Sequence, residues 1–173
     1  VLNAIGQEYG CTFDCEEHLI GGCAIDATRA AGVKPTALPD ETLEAAKASD
    51  AVLLAAVGGP KWDGAAPGEA RPEQGLLAIR KNLGLYLNLR PVRIYDALRD
   101  ASPLRPEKLE GVDILIVREL TGGIYFGAHE RTENVEGAGM NGAKGTFCRD
   151  LMDYNEYEIE RVVRWAFDAA SRR

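Results

Sequence analysis

The sequence predicts an α/β fold, and three observations carry that expectation. Helix-like and strand-like segments alternate along its 173 residues. Residues 50–57 and 112–118 are continuous apolar runs of strand length, the pattern of strands buried on both faces of a parallel sheet. The last segment carries apolar residues at helical period behind a helix-start signal.

Element by element, residues 1–9 have apolar positions at 1, 2, 5 and 9, which reads as the tail of a helix. Residues 12–26 look strand-like, with Gly21 and Gly22 interrupting them, and residues 28–38 look like a loop. Pro39, Asp40 and Glu41 open a helix running to about Ser49, because proline and acids suit the positive first turn. The apolar run 50–57 is cut by Gly58-Gly59-Pro60, at the end of a strand, where open α/β sheets place ligands; a plain strand-ending turn fits equally well. Pro72 to Asn82 is helical. Residues 85–92 and 93–95 are extended, and residues 112–118 form the second expected buried strand. Residues 127–151 are long, polar and rich in Gly and Asn, and read as a β-arm turning at Asn141-Gly142. Asn155 and Glu158 make a capping-box pattern for a final helix with Ile159, Val162, Val163, Ala166, Phe167 and Ala170 on one face.

Composition excludes several functions. Twenty basic against 27 acidic side chains leave a net charge of −7, unsuited to nucleic acid or an anionic membrane surface. No apolar run approaches the length of a membrane span. The first residues lack the basic-then-apolar order of a signal peptide, and the missing initiator Met suggests a chain that begins inside a gene product. Cys11, Cys15 and Cys23 with His18 resemble a zinc string, but the spacing fits no common ligand pattern. With Cys148 they are expected to be buried or half-buried free thiols in a reducing, cytoplasmic protein.

Gly137, Gly139 and Gly142 match a G-x-G-x-x-G dinucleotide pattern by letter only. No strand precedes them and no helix follows, so a turn is expected. Arg80, Arg90 and Arg118 fall in a helix, an extended segment and the end of a buried strand. Guanidinium groups in such places either grip a small di- or tricarboxylic acid or form structural ion pairs, and spacing does not choose between the two. Tyr125, just past the second apolar run, is a candidate proton donor or a packing residue.

Four motifs, AVGGPKWD at 56–63, RPEQGLLAIR at 71–80, YLNLRP at 86–91 and VRELTGGIYFG at 117–127, occur in an order and spacing that resemble the 3-isopropylmalate dehydrogenase family, within the isocitrate/isopropylmalate dehydrogenases. The likeness runs from about residue 20 to the last helix. It implies NAD-dependent oxidative decarboxylation of 3-isopropylmalate to 4-methyl-2-oxopentanoate in leucine biosynthesis, with Mg²⁺ or Mn²⁺ chelating the reacting hydroxyl and carboxylate. Matching positions make Arg80, Arg90 and Arg118 the carboxylate clamp and Tyr125 the proton donor after loss of carbon dioxide. By the same match Leu76 and Leu77 line the isopropyl pocket, and Glu73 lies near the nicotinamide.

The resemblance further implies a two-lobed parallel or mixed sheet with flanking helices, truncated at both ends. Residues 1–86 would be part of the first lobe and 87–173 part of the second, whose arm at about 127–151 makes a homodimer. Family chains extend past both ends of this one. The catalytic lysine, the metal-binding aspartates and the main adenosine-binding segment lie beyond Arg173 in the family, and the opening strand and its loop precede residue 1. Residues 28–36 look like an insertion. The 173 residues alone are therefore expected to be adhesive and without turnover. A sister decarboxylase of tartrate, D-malate or homoisocitrate is disfavoured by Leu76, Leu77 and the Leu-Thr-Gly-Gly stretch. A non-catalytic scaffold of the same fold is disfavoured by the intact arginines and Tyr125.

Overall fold

In a computed structural model, which describes residues 1–66 and 68–173, the chain is mixed α/β and divides into two units, Val1–Leu83 and Gly84–Arg173. The first unit carries four helices: α1 (Leu2–Tyr9), α2 (Gly22–Ala30), α3 (Asp40–Ala48) and α4 (Pro72–Asn82). Helix α1 stops where Gly10 adopts a left-handed conformation (φ 65°), the usual glycine C-terminal signal. The small core gathers Ala24, Ile25, Ala37, Pro72 and Ile79. Helix α4 approaches so closely that a Cβ on Gly75 would lie 2.4 Å from the Ala37 carbonyl oxygen. Two hydroxyls tie the loops down. Thr42 donates to the Leu19 carbonyl at 2.8 Å, and Thr28 donates to the Ala24 carbonyl at 2.7 Å while accepting from the Thr36 amide.

Three expectations change in this unit. Residues 12–26 form no strand: residues 12–20 take no regular structure, and Gly22–Ala30 is helical, running on into the segment expected as a loop. Ala24, Ile25 and Thr28 share one side of a turn, and Gly21 (φ 69°) supplies the sharp entry. Residues 50–57 form no ladder, and Leu53 is 88% exposed. An apolar run becomes a buried strand only beside partner strands, and none exists among the described residues of this unit. Of the thiols expected to be buried or half-buried, Cys11, Cys15 and Cys23 here, like Cys148 in the second unit, are free but exposed.

The second unit holds strands β1 (Leu87–Arg93), β2 (Asp113–Glu119), β3 (His129–Val135) and β4 (Gly145–Asp150), and helix α5 (Glu156–Ser171). β1 pairs with β2 and β3 with β4, both antiparallel. The parallel pairing expected for residues 112–118 is not seen among the described residues. Parallel neighbours need a crossover, usually helical, whereas residues 94–112 contain only short 3₁₀ turns, and β2 pairs antiparallel with β1, leaving Ile114 and Ile116 half exposed. Pro91 sits in β1, the other strand of this two-stranded sheet, where the ladder tolerates a missing amide donor.

β3 and β4 make the arm. A register shift falls between Thr132 and Val135, where Asn134 turns left-handed (φ 59°). The tip closes through a 3₁₀ turn, Met140–Gly142, with Asn141 at φ 56° and Gly142 at φ 79°. The G-x-G-x-x-G letters are this turn. Helix α5 begins at the expected capping box: Asn155 offers its backbone amide to Glu158 Oε2 at 2.7 Å. It buries Glu158 and Val162, while Ile159, Val163 and Phe167 of the expected apolar stripe stay exposed. Among the described residues no helix is long and apolar enough to cross a membrane.

Candidate functional site

In the first unit α4 does the positioning. Pro72, Gly75 and Ile79 take the buried side, which leaves Glu73, Leu76, Leu77 and Arg80 on an adjoining face at helical spacing. Glu73 is exposed, and the other three are half-buried. The Gly58 turn (φ 87°) lies against this face, so close that a Cβ there would stand 2.8 Å from Glu73 Oε1. Beside it a cavity of about 360 Å³ is lined by Trp62, Asp63, Arg71, Pro72 and Glu73.

Trp62 is fixed from α2. Its indole Nε1 donates to Asp26 Oδ1 at 3.4 Å, and Lys61 reaches Asp26 Oδ2 at 2.5 Å. The Lys61 hydrogen bond is the main reason the Asp26 carboxyl titrates below its usual range. Gly22 leaves room for the indole: a Cβ there would meet Trp62 ring carbons at 2.4–2.6 Å. We expect Gly22→Ala to destabilise this unit by about 1–3 kcal/mol, the cost of overpacking. A denaturant titration followed by tryptophan fluorescence would register that loss, and an unchanged midpoint would show that the contact is soft.

In the second unit β1 and β2 set the register. Asn88 stands opposite Arg118, and Arg90 follows Asn88 by two residues, so all three share one face of the ladder. Arg90 Nε donates to Asn88 Oδ1 at 3.2 Å. The Arg118 guanidinium lies 5.6 Å from the centroid of the Tyr125 ring, and Tyr125 is 58% exposed. The structure thus brings Arg90, Arg118 and Tyr125 together. Among the described residues none of Arg80, Arg90 or Arg118 forms an ion pair, although eleven other pairs exist in an acidic chain.

Sequence reasoning missed a second cluster, on the opposite side of β2. The Glu119 carboxylate accepts from the amides of Thr121 (2.7 and 2.8 Å) and Gly122 (2.9 Å) and from the Thr121 hydroxyl. Arg161 of α5 lies 3.6 Å from Glu119, donates to the Thr121 hydroxyl, and stacks on Tyr86 and Tyr157 at 4.5 and 5.1 Å. Glu158 sits within reach of Thr121 at 3.5 Å. The signal was available: Glu119 alternates with Arg118 in a strand, and Glu158 and Arg161 are three apart in a helix.

Burial raises the Glu119 carboxyl, but the Thr121 hydroxyl and the amides of Gly122, Thr121 and Leu120 outweigh it and hold it below its usual range. The Asn155 amide does the same for Glu158, against burial and the charge of Glu119. Groups lowered in the folded state stabilise it above the ordinary glutamate range, and that contribution fades as pH falls through their depressed values. Glu158→Gln is therefore expected to lower the melting temperature most at neutral pH, with the gap to the parent narrowing in acid. A gap that widened in acid would contradict the assignment.

Among the described residues no group of three or more His, Cys, Asp or Glu side chains is placed to hold a metal ion. A family model described as isocitrate/isopropylmalate dehydrogenase matches residues 1–173. The chain is 54% identical over 175 residues to a 3-isopropylmalate dehydrogenase of Priestia megaterium, covering all of this chain and 43% of that protein. It is 50% identical to the protein of the same name from Moorella thermoacetica and 49% identical to one from Streptococcus thermophilus, covering all of this chain and 44% of each of those proteins. The chain thus spans less than half the length of these curated relatives.

Proposed function

The chain belongs to the isocitrate/isopropylmalate dehydrogenase family, and on that premise we propose that the protein carrying it oxidises and decarboxylates 3-isopropylmalate, giving 4-methyl-2-oxopentanoate in leucine biosynthesis. The observation that carries the reading is the face of β1 and β2, where Arg90 and Arg118 pair with no carboxylate among the described residues and Tyr125 lies against Arg118. Two guanidiniums on one face suit a dianion, because arginine grips carboxylate through paired hydrogen bonds. We assign Arg80 to the same substrate from its motif. Leu76 and Leu77, neighbours of Arg80 on α4, offer apolar surface to the isopropyl group.

The chemistry follows from these roles. Oxidation converts the 2-hydroxyl carbon to a ketone: its hydride passes to the cofactor and its hydroxyl proton to a base, the lysine assigned beyond Arg173. The carboxylate β to that ketone then departs as carbon dioxide, and the electron pair passes to an enolate. The Tyr125 hydroxyl delivers the proton that converts the enolate to the ketoacid product. NAD, when bound, supplies the hydride acceptor; the Glu73 carboxylate beside the Gly58 turn and its cavity fits such a group as an acceptor for ligand hydroxyls. A divalent ion, Mg²⁺ or Mn²⁺, stabilises negative charge on the substrate oxygen when bound; its carboxylate ligands are assigned beyond Arg173.

For the whole protein we further propose two lobes with a parallel or mixed sheet. Residues 1–86 belong to the first lobe and 87–173 to the second, with homodimerisation through the arm at 127–151 and a cytoplasmic setting. The test is stoichiometric. Supplied with 3-isopropylmalate, NAD and Mg²⁺, the whole protein is expected to release NADH and carbon dioxide in equal amounts. NADH without carbon dioxide, or neither, would remove the proposal.

A further inference from the structure

We propose that Glu119 and Arg161 are positioning residues for Tyr125, a role that rests on the proton-donor reading of that tyrosine. β2 carries Arg118 and Glu119 on opposite faces, Arg118 towards Tyr125 and Glu119 towards α5. After Glu119 the chain bends and turns from Thr121 to Gly127, and Tyr125 lies in that turn.

Both ends of the turn are held. At its start the Glu119 carboxylate collects the Thr121 and Gly122 amides, which would otherwise lack partners. At its end Gly123 accepts from the amides of Phe126 (3.1 Å) and Gly127 (2.9 Å), bracketing Ile124 and Tyr125. The Gly123 amide donates to the Asp153 carbonyl at 2.9 Å, and Tyr154 packs so closely that a Cβ on Gly122 or Gly123 would lie 2.7 or 2.4 Å from it.

Arg161 joins this turn to the helix. Its Nη2 reaches both Glu119 and the Thr121 hydroxyl, and its plane is clasped by Tyr86 and Tyr157. Its Nε is buried without a hydrogen-bond partner, so the side chain is held by the stack and by its Nη contacts rather than by satisfying every donor. The stack and the Nη contacts hold α5 in one arrangement against the turn. That arrangement is the one that sets the Tyr125 hydroxyl relative to the Arg118 side of the ladder. Glu119 and Arg161 touch no substrate in this scheme; they act through the turn.

The experiment is a double-mutant cycle in the whole protein, measured with 3-isopropylmalate, NAD and Mg²⁺. Glu119→Gln keeps the shape but loses the charge that gathers the amides. It is expected to lower kcat by about 10- to 100-fold, the scale of a small misplacement of a reacting group, with the KM for 3-isopropylmalate nearly unchanged. In a Tyr125→Phe background the same substitution is expected to cost almost nothing, because the group it positions is gone. An equal loss in both backgrounds, or a KM that rises in step with the fall in kcat, would overturn the proposal. If Glu119→Gln fails to fold by circular dichroism, Arg161→Lys, which keeps a charge and a donor, replaces it in the cycle under the same criteria. A Tyr125→Phe enzyme as fast as its parent would remove the proton-donor reading itself, and this proposal with it.

Discussion

Tyr125→Phe is expected to lower kcat about 10²- to 10⁴-fold in the whole protein, the range of a positioned general acid. The substitution deletes one hydroxyl and keeps the ring that stacks on the Arg118 guanidinium. Because Tyr125 is more than half exposed and its hydroxyl has no hydrogen-bond partner among the described residues, the fold should not notice the change. The loss should therefore appear in kcat, with the KM and the melting temperature close to those of the parent. A second signature separates proton donation from packing. If the enolate forms and waits for a proton, NADH should appear faster than the final ketoacid in a single turnover. Equal rates for the two products would place the tyrosine outside the chemistry.

Arg118→Gln is expected to act on substrate affinity instead. Removing a guanidinium that pairs with a bound carboxylate costs about 2–5 kcal/mol when the partner is left desolvated, which is roughly 30- to several-thousand-fold in kcat/KM. Arg118 forms no ion pair with the chain's own acids among the described residues, so its removal leaves no protein carboxylate stranded. Unchanged thermal stability beside a large loss of affinity is the expected combination. Arg118→Lys should recover little, since an ammonium replaces a flat two-pronged donor by a point charge. A variant that melts early while binding 3-isopropylmalate normally would turn Arg118 into a structural residue. Arg90, on the same face and anchored to Asn88, should behave alike, with a smaller loss because it is more exposed.

What could be read from the sequence, and what could not, divides along the range of the interactions. Helix α4 starts at Pro72 and ends at Asn82, and helix α5 starts behind Asn155, because proline placement and a capping box are written within four residues. The arm at 127–151 was legible for the same reason: Asn141 and Gly142 both accept positive φ, and polar strands flank them. Residues 50–57 and 112–118 were legible as apolar runs but not as parallel strands, since pairing depends on partners far along the chain. Residues 12–26 were mistaken for a strand in part because two glycines preceding a short apolar stretch mark a helix entry, here that of Gly22–Ala30, as well as a strand end.

The site divides in the same way. Arginines, a tyrosine and leucines at motif spacing could be singled out, and the ladder places Arg90 and Arg118 on one face beside Tyr125. Whether those arginines had acidic partners could not be read from spacing, and the structure answers it. The Glu119–Arg161 cluster escaped because it joins a strand end to a helix some 40 positions later.

The central claim is that this arginine and leucine set selects 3-isopropylmalate among 2-hydroxy acids. The most direct measurement is kcat/KM of the whole protein for 3-isopropylmalate, isocitrate, D-malate and tartrate under one set of conditions. Each carbon of the isopropyl group contributes roughly 1–3 kcal/mol in an apolar pocket, so 3-isopropylmalate should lead D-malate and tartrate by at least about 100-fold, and isocitrate, with a charged group at that place, should be barely turned over. Faster turnover of isocitrate or tartrate than of 3-isopropylmalate would contradict the account.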